Sequence, residues 1–194
     1  MPLLILAIGV ICSCGDCKDC GPSQNYPYFK IRFFNIDSLN KVNASIAETQ
    51  DSLTQLIDSG YQESDTVVIN INNKLTFLEN VQTNIRMGKI KIDDVEGTGA
   101  DKILLFRDSL TNDSLISFNF PLSMSDDKSE FIIHIADRKD TLSVNYQVLT
   151  KSEGHSILRR AYGINIITCT YDSIKVSCRK DSCLSNETTL YVYF

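Results

Sequence analysis

The residues of this chain best suited to chemistry are its seven cysteines, which gather at the two ends of the 194 residues. Cys14, Cys17 and Cys20 form a C-x2-C-x2-C run, and Cys169, Cys178 and Cys183 lie near the end. Three chemistries compete for them. Iron–sulfur ligation asks for a fourth cysteine soon after the run, followed by proline, whereas Gly21-Pro22 follows Cys20 directly. A zinc site could join Cys17 and Cys20 to Cys178 and Cys183, but distant segments would have to meet and no paired-histidine motif helps. Disulfides or free structural thiols are the better expectation for a chain in an oxidising compartment. Cys178 and Cys183 could close a short loop around Arg179-Lys180-Asp181-Ser182.

Other catalytic groups are sparse. His134 sits in the apolar run Phe131–Ala136, and His155 lies in the polar stretch Ser152–Ser156. A serine–histidine–aspartate set can assemble from distant positions, yet no Gly-x-Ser-x-Gly elbow supports one. Asp93-Asp94 and Asp126-Asp127 could bind calcium or move protons. Neighbours on a strand point to opposite faces, so these pairs read as solvated turn residues. Gly97-Thr98-Gly99 is too short for a phosphate loop and lacks the following lysine. The sequence therefore names no catalytic residue, metal ligand or cofactor.

What precedes the cysteine run decides its reading. Pro2 to Ile11 is an apolar run of about ten residues, where a membrane-spanning helix needs roughly 20. That length suits the hydrophobic region of a secretory signal. Cys14 has the aliphatic Ile11 three places before it and the small Ser13 immediately before it, the pattern of a lipid-acceptor cysteine. No Lys or Arg precedes the run. The expected organisation is a lipoprotein signal peptide over 1–13, a tether over 14–27 and one domain over 28–194. Removing Cys12 with the signal and Cys14 to lipid leaves Cys17, Cys20, Cys169, Cys178 and Cys183 as disulfide or free-thiol candidates. Their number is odd, so one thiol is free or pairs between molecules. The net charge of −5, with no basic stretch beyond Arg159-Arg160, lacks the positive footprint of nucleic-acid binding.

The elements that would position these residues are strands. Tyr28–Ile36 alternates Phe29, Ile31 and Phe33 with Lys30 and Arg32, the period of a half-buried strand. Thr66–Ile71 and Lys74–Leu78 read as strands separated by Asn72-Asn73. Lys89–Ile92, Ile103–Phe106 and Leu115–Phe120 follow. Glu130–Ala136 and Thr141–Thr150 form a hairpin around Asp137–Asp140. In its second arm Leu142, Val144, Tyr146 and Val148 face one way, and Ser143, Asn145 and Gln147 the other, the mark of a sheet with one wet face. Ile164–Thr170, Ser173–Cys178 and Thr188–Phe194 complete the set. Tyr191 and Tyr193 share a face of the last strand. Asn40–Ser59, with Val42, Ile46, Leu53, Leu56 and Ile57 and the stop Gly60, is either a short helix or an extended excursion between strands. The expectation is a mainly β chain: an antiparallel β-sandwich, immunoglobulin-like in its layering, with at most one short helix.

Aspartate followed by Ser or Thr and an aliphatic residue recurs, placing Ser38, Ser52, Thr66, Ser109, Ser114, Thr141 and Ser173 in one local context. Turn and strand-entry preferences generate such triplets. The triplets also resemble the O-glycosylation sequon that Bacteroidetes use on exported proteins, and a sequon must itself sit on an accessible turn.

The lipid-acceptor head, the triplets and several pieces of the second half resemble a group of small Bacteroidetes lipoproteins classed as domains of unknown function. The pieces are Phe120-Pro121-Leu122-Ser123, Phe131-Ile132-Ile133, Asp140–Tyr146 and Tyr162-Gly163. The relatives often carry a cysteine where this chain has Tyr162, so no disulfide transfers, and the family supplies no catalytic residues. The resemblance implies attachment to the cell envelope, at the outer membrane, through lipid on Cys14. The expected activity is that of a non-catalytic binding or interaction module for an envelope protein or glycan. The alternative is an envelope hydrolase or thiol redox protein using His155 or a free cysteine.

Overall fold

The computed structural model describes residues 27–98, 114–153 and 156–194. The chain is mainly β, in two open four-stranded sheets, with two long helices. In order, the elements are β1 (Tyr28–Phe34), α1 (Ile36–Asp58), α2 (Thr66–Arg86), β2 (Asp94–Thr98), β3 (Phe118–Pro121), β4 (Lys128–Ile135), β5 (Arg138–Glu153), β6 (Ser156–Cys169), β7 (Ser173–Val176) and β8 (Thr189–Tyr193). A 3-10 turn, Ser185–Glu187, precedes β8. One sheet runs β3-β1-β8-β7 and the other β2-β4-β5-β6.

Alternation builds the core. Phe29, Ile31 and Phe33 of β1 and Leu190 and Val192 of β8 are buried from one sheet, and Phe131, Ile133, Leu142 and Val144 from the other. Phe29, Phe120 and Phe131 join the two, with ring centroids 5.1 to 5.8 Å apart. Burying each such side chain contributes about 1.5–3 kcal/mol, and the tilted, edge-on geometry adds to that. The alternation of β5 is present, with Leu142, Val144 and Tyr146 buried and Asn145 and Gln147 exposed. Ser143 departs from it: it is buried beside a register shift between Ser143 and Val144. The β4–β5 turn is Ala136-Asp137, tighter than Asp137–Asp140, because Arg138–Asp140 already pair with Ile133–Ile135.

Two corrections concern the architecture. The pairing is not antiparallel throughout, since β1 lies parallel to β8. And the chain has two long helices rather than at most one short one. α1 covers the ambiguous segment and extends it to 23 residues. α2 replaces the strands expected at Thr66–Ile71 and Lys74–Leu78 with one helix of 21 residues. Leu39, Val42, Ile46, Thr49, Leu53 and Leu56 recur at alternating steps of three and four, and so do Val68, Ile71, Leu75, Leu78, Gln82 and Ile85. Each set forms the seam of a heptad repeat, and the two seams pack together as an antiparallel arm. At the seam Gln82 donates a hydrogen bond to Asn43 Oδ1 at 2.7 Å.

Both arm helices end in the same way. Gly60 N–H donates to Ile57 O and Tyr61 N–H to Leu56 O; Gly88 N–H donates to Ile85 O and Lys89 N–H to Asn84 O. This is the Schellman closure, which needs a left-handed residue after the helix, and Gly60 and Gly88 have φ of 91° and 70°. At the start, Asn35 Oδ1 accepts from Ser38 N–H at 2.8 Å, capping α1. Among the described residues the two helices pack chiefly on each other rather than on the sheets. No helix of the described residues is long and apolar enough to cross a membrane.

Candidate functional site

The densest grouping of recognition chemistry lies on the outer face of the β3-β1-β8-β7 sheet. The alternation that buries Phe29, Ile31 and Phe33 sends Lys30, Arg32 and Phe34 outward, and burial of Leu190 and Val192 sends Tyr191 and Tyr193 the same way. Register then aligns them. Arg32 pairs with Tyr191, and Tyr191 with Lys175 of β7; Phe34 pairs with Tyr193, and Tyr193 with Ser173.

The side chains touch across these rows. Phe34 stacks on Tyr193 at 5.2 Å and on Tyr191 at 6.4 Å. The Arg32 guanidinium lies 5.3 Å from the Phe34 ring centre and 5.9 Å from that of Tyr191. Lys175 Nζ lies 5.4 Å from the Tyr193 ring. Such cation–ring contacts contribute about 0.5–1 kcal/mol each at exposed sites. Arg32 Nη2 donates to Met87 O at 2.8 Å, tying the face to the arm root, while Arg32 Nε is buried without a partner. Among the described residues none of Lys30, Arg32 and Lys175 forms an ion pair. The four strands of this sheet contain no acidic residue. On a chain of net charge −5, this is a local positive, aromatic surface.

The residues singled out from sequence fall elsewhere. Cys178 and Cys183 are joined in a disulfide, Cα–Cα 6.1 Å, so Cys183 is not a free thiol. Cys169 is free and exposed at the end of β6. Cys14, Cys17, Cys20, Ser109 and His155 lie outside the described residues, as does the strand expected at Ile103–Phe106. Among the described residues no three His, Cys, Asp or Glu side chains gather as a metal-ligand set. His134 Nε2 lies 3.0 Å from Glu96 Oε1 on the wet face of β4. A cleft of about 180 Å³ at the arm root is lined by Phe33, Asn35, Gly88 and Ile90 among others, with no histidine, cysteine or carboxylate among the described residues.

The triplet hydroxyls are spread over the surface. Ser52, Thr66, Ser114, Thr141 and Ser173 are exposed and Ser38 half-buried. Turns and strand entries do not account for the pattern alone, because Ser38 and Ser52 lie in α1 and Thr66 opens α2. Asp65 precedes α2, and its Oδ2 accepts from Gln62 N–H at 2.7 Å in the turn before the helix. Of the aromatic face, the sequence alone picks out only Tyr191 and Tyr193 as sharing a face. The alternation of Lys30 and Arg32 was visible, but the parallel pairing that sets Arg32 beside Tyr191 was not.

No family model, curated protein or solved structure matches the chain.

Proposed function

We propose that this chain is a lipid-anchored cell-envelope protein that acts as a non-catalytic binding module. The proposal carries with it lipid on Cys14, outer-membrane attachment, membership of the Bacteroidetes lipoprotein group and an immunoglobulin-like sandwich layering of the two sheets. One observation supports the binding role above others: the ordered surface of Lys30, Arg32, Phe34, Lys175, Tyr191 and Tyr193, with cations stacked on rings and no carboxylate in its strands. Rings held against one another lose little freedom on contact, and unpaired cations set the sign of what they recognise. The ligand is an acidic, aromatic-bearing protein segment rather than a glycan, because the face offers stacked rings but the chain has no tryptophan platform. The exposed triplet hydroxyls at Ser52, Thr66, Ser114, Thr141 and Ser173 are accessible to O-glycosylation.

Titration of the full chain with a Glu- and Tyr-rich peptide, followed by amide NMR or calorimetry, tests the face. Binding that weakens with salt and falls at least tenfold in Lys30→Glu/Lys175→Glu supports it. Binding of an acidic oligosaccharide with no response to the peptide would replace the ligand class, and no response to either would remove the face as a site for a separate ligand. Intact-mass measurement on membrane-extracted protein tests the anchor: an unmodified Cys14 in a chain still beginning at Met1 would overturn it.

A further inference from the structure

The arm presents, at its far end, the counterpart of this face. Between Lys41 and Lys74 the chain holds Glu48, Asp51, Asp58, Glu63 and Asp65 and no basic residue. The same end is apolar: Ile57, Tyr61, Val67 and Ile69 are between 45% and 49% exposed. Large apolar side chains grouped beside charge mark association surfaces more often than solvated ones. Among the described residues the main packing partner of each arm helix is the other.

We propose that the acidic, apolar tip of the arm docks on the basic, aromatic face of a second copy of this chain, giving head-to-tail assembly. The inference rests on the binding role of that face and names its occupant. Three observations carry it. First, the charges are complementary in sign: Asp58, Glu63 and Asp65 at the tip, with Asp51 and Glu48 further down α1 and no basic residue between Lys41 and Lys74, against Lys30, Arg32 and Lys175 without an acid in the sheet. Second, the widths agree. Packed helices lie about 8–10 Å apart, and the strands β1, β8 and β7 span about 10 Å at a spacing of about 4.8 Å. Third, the contact cannot close within one molecule. α1 starts at Ile36, two residues from Phe34 of the face. At about 1.5 Å per residue its 23 residues carry the tip about 35 Å away along a paired, stiff arm. Because tip and face are different surfaces of one chain, two copies can close reciprocally about a two-fold axis, each tip on the other's face, or further copies can add into rings or open chains.

Sedimentation velocity of the purified full chain over a rising concentration series tests this. The expected result is association that grows with concentration, as a dimer or larger species, reduced several-fold when salt is raised. Asp58→Lys/Glu63→Lys at the tip and Lys30→Glu/Lys175→Glu on the face should each sediment as monomer, and an equimolar mixture of the two should associate again. All four residues are exposed, and circular dichroism identical to the parent checks that the variants fold. A parent that stays monomeric, association that survives either double substitution, or a mixture that fails to recover would overturn the proposal. The peptide titration separates the two readings. If the peptide binds and Lys30→Glu/Lys175→Glu abolishes that binding while the parent stays monomeric, the face stands and the arm is not its occupant. If the peptide fails while the charge-swapped mixture associates, self-assembly stands and the face recognises only the arm.

Discussion

Tyr146 and Ser129 share a hydroxyl-to-hydroxyl hydrogen bond of 2.7 Å inside the fold. The Tyr146 hydroxyl donates to Ser123 O at 3.0 Å, and Ser123 N–H donates to Ser129 Oγ at 2.9 Å. Tyr146 has one proton and gives it to the carbonyl, so Ser129 supplies the proton of the shared bond. The three residues close a small circuit between β4, β5 and the segment after β3.

That circuit requires a neutral phenol. Burial pushes the Tyr146 hydroxyl up to about 12, against the lowering effect of its bonds to Ser129 and Ser123. A folded pKa above the unfolded value of about 10 stabilises the fold fully below pH 10 and ceases to do so as pH rises through 12. Urea unfolding should therefore show stability falling between about pH 10 and 12. Tyr146→Phe should cost about 1–2 kcal/mol at neutral pH and lessen that alkaline loss, the remainder belonging to the Tyr171 phenol, which burial also raises. Equal pH slopes in parent and variant would show that the phenol is not the titrating group.

Asp140 is buried, with Oδ2 3.1 Å from Arg138 Nε and Oδ1 accepting from Thr170 Oγ1 at 2.9 Å. Its carboxylate hydrogen bond raises the Arg138 guanidinium above its usual value. Thr170 Oγ1 in turn accepts from Thr141 N–H at 2.9 Å, so the carboxylate anchors the end of β6 to β5. Asp140→Ala should cost about 2 kcal/mol, below the usual figure for breaking a buried pair because the Arg138 side chain is partly exposed and can turn to water. Asp140→Asn, which still accepts from Thr170, should cost less. Equilibrium unfolding of the two variants checks the order.

The arm's seam is separate from the β core, and so is its stability. Ile46 and Val68 are buried within the seam. Ile46→Ala should cost the arm about 2–3 kcal/mol while leaving the sheets intact. Hydrogen exchange should then show faster exchange over residues 36–86 and unchanged protection in β4 and β5. A uniform loss across the chain would mean that arm and body unfold as one.

Gly88 fastens the arm to the body. It has φ of 70°, and a Cβ there would lie 2.8 Å from Phe33 O. Both the left-handed backbone and the contact oppose any side chain, so Gly88→Ala should destabilise by about 1–2 kcal/mol. Thermal unfolding followed at a helix-sensitive wavelength measures it. Gly60 has the same backbone but open space around it, so Gly60→Ala should cost less.

The short loop closed by Cys178 and Cys183 supports the approach to β8, where Gly163 N–H donates to Cys183 O at 3.0 Å. A cross-link over so few residues contributes about 2 kcal/mol by chain entropy. Cys178→Ser/Cys183→Ser should lower the urea midpoint accordingly, and a reductant should produce the same shift in the parent but none in the variant.

Strands were legible where a period of two ran long enough beside one buried face, as at Phe29–Phe33 and Leu142–Tyr146. α2 was not, for a physical reason. Over six residues Val67, Ile69 and Ile71 alternate like a strand, and Asn72-Asn73 imitates a turn. Over 20 residues the steps of three and four through Val68, Ile71, Leu75 and Leu78 prevail, because α1 offers a matching seam. Val67 and Ile69 are consequently exposed and the two asparagines face solvent. The candidate face was hidden similarly. Its members lie in strands far apart in sequence, and only the pairing of β1 with β8 brings cation and ring together.

That pairing also orders events in time. A chain made from its N-terminus releases β1 early, with Phe29, Ile31 and Phe33 exposed along one side. The parallel neighbour that completes the centre of its sheet is residues 189–193. The arm, whose contacts are local, can form while β1 still waits. Long-range parallel pairing is slow to form and leaves apolar edges open in the interval. β8, made long after β1, is thus the strand that completes this side of the core, and β1 is open to competing partners until it arrives.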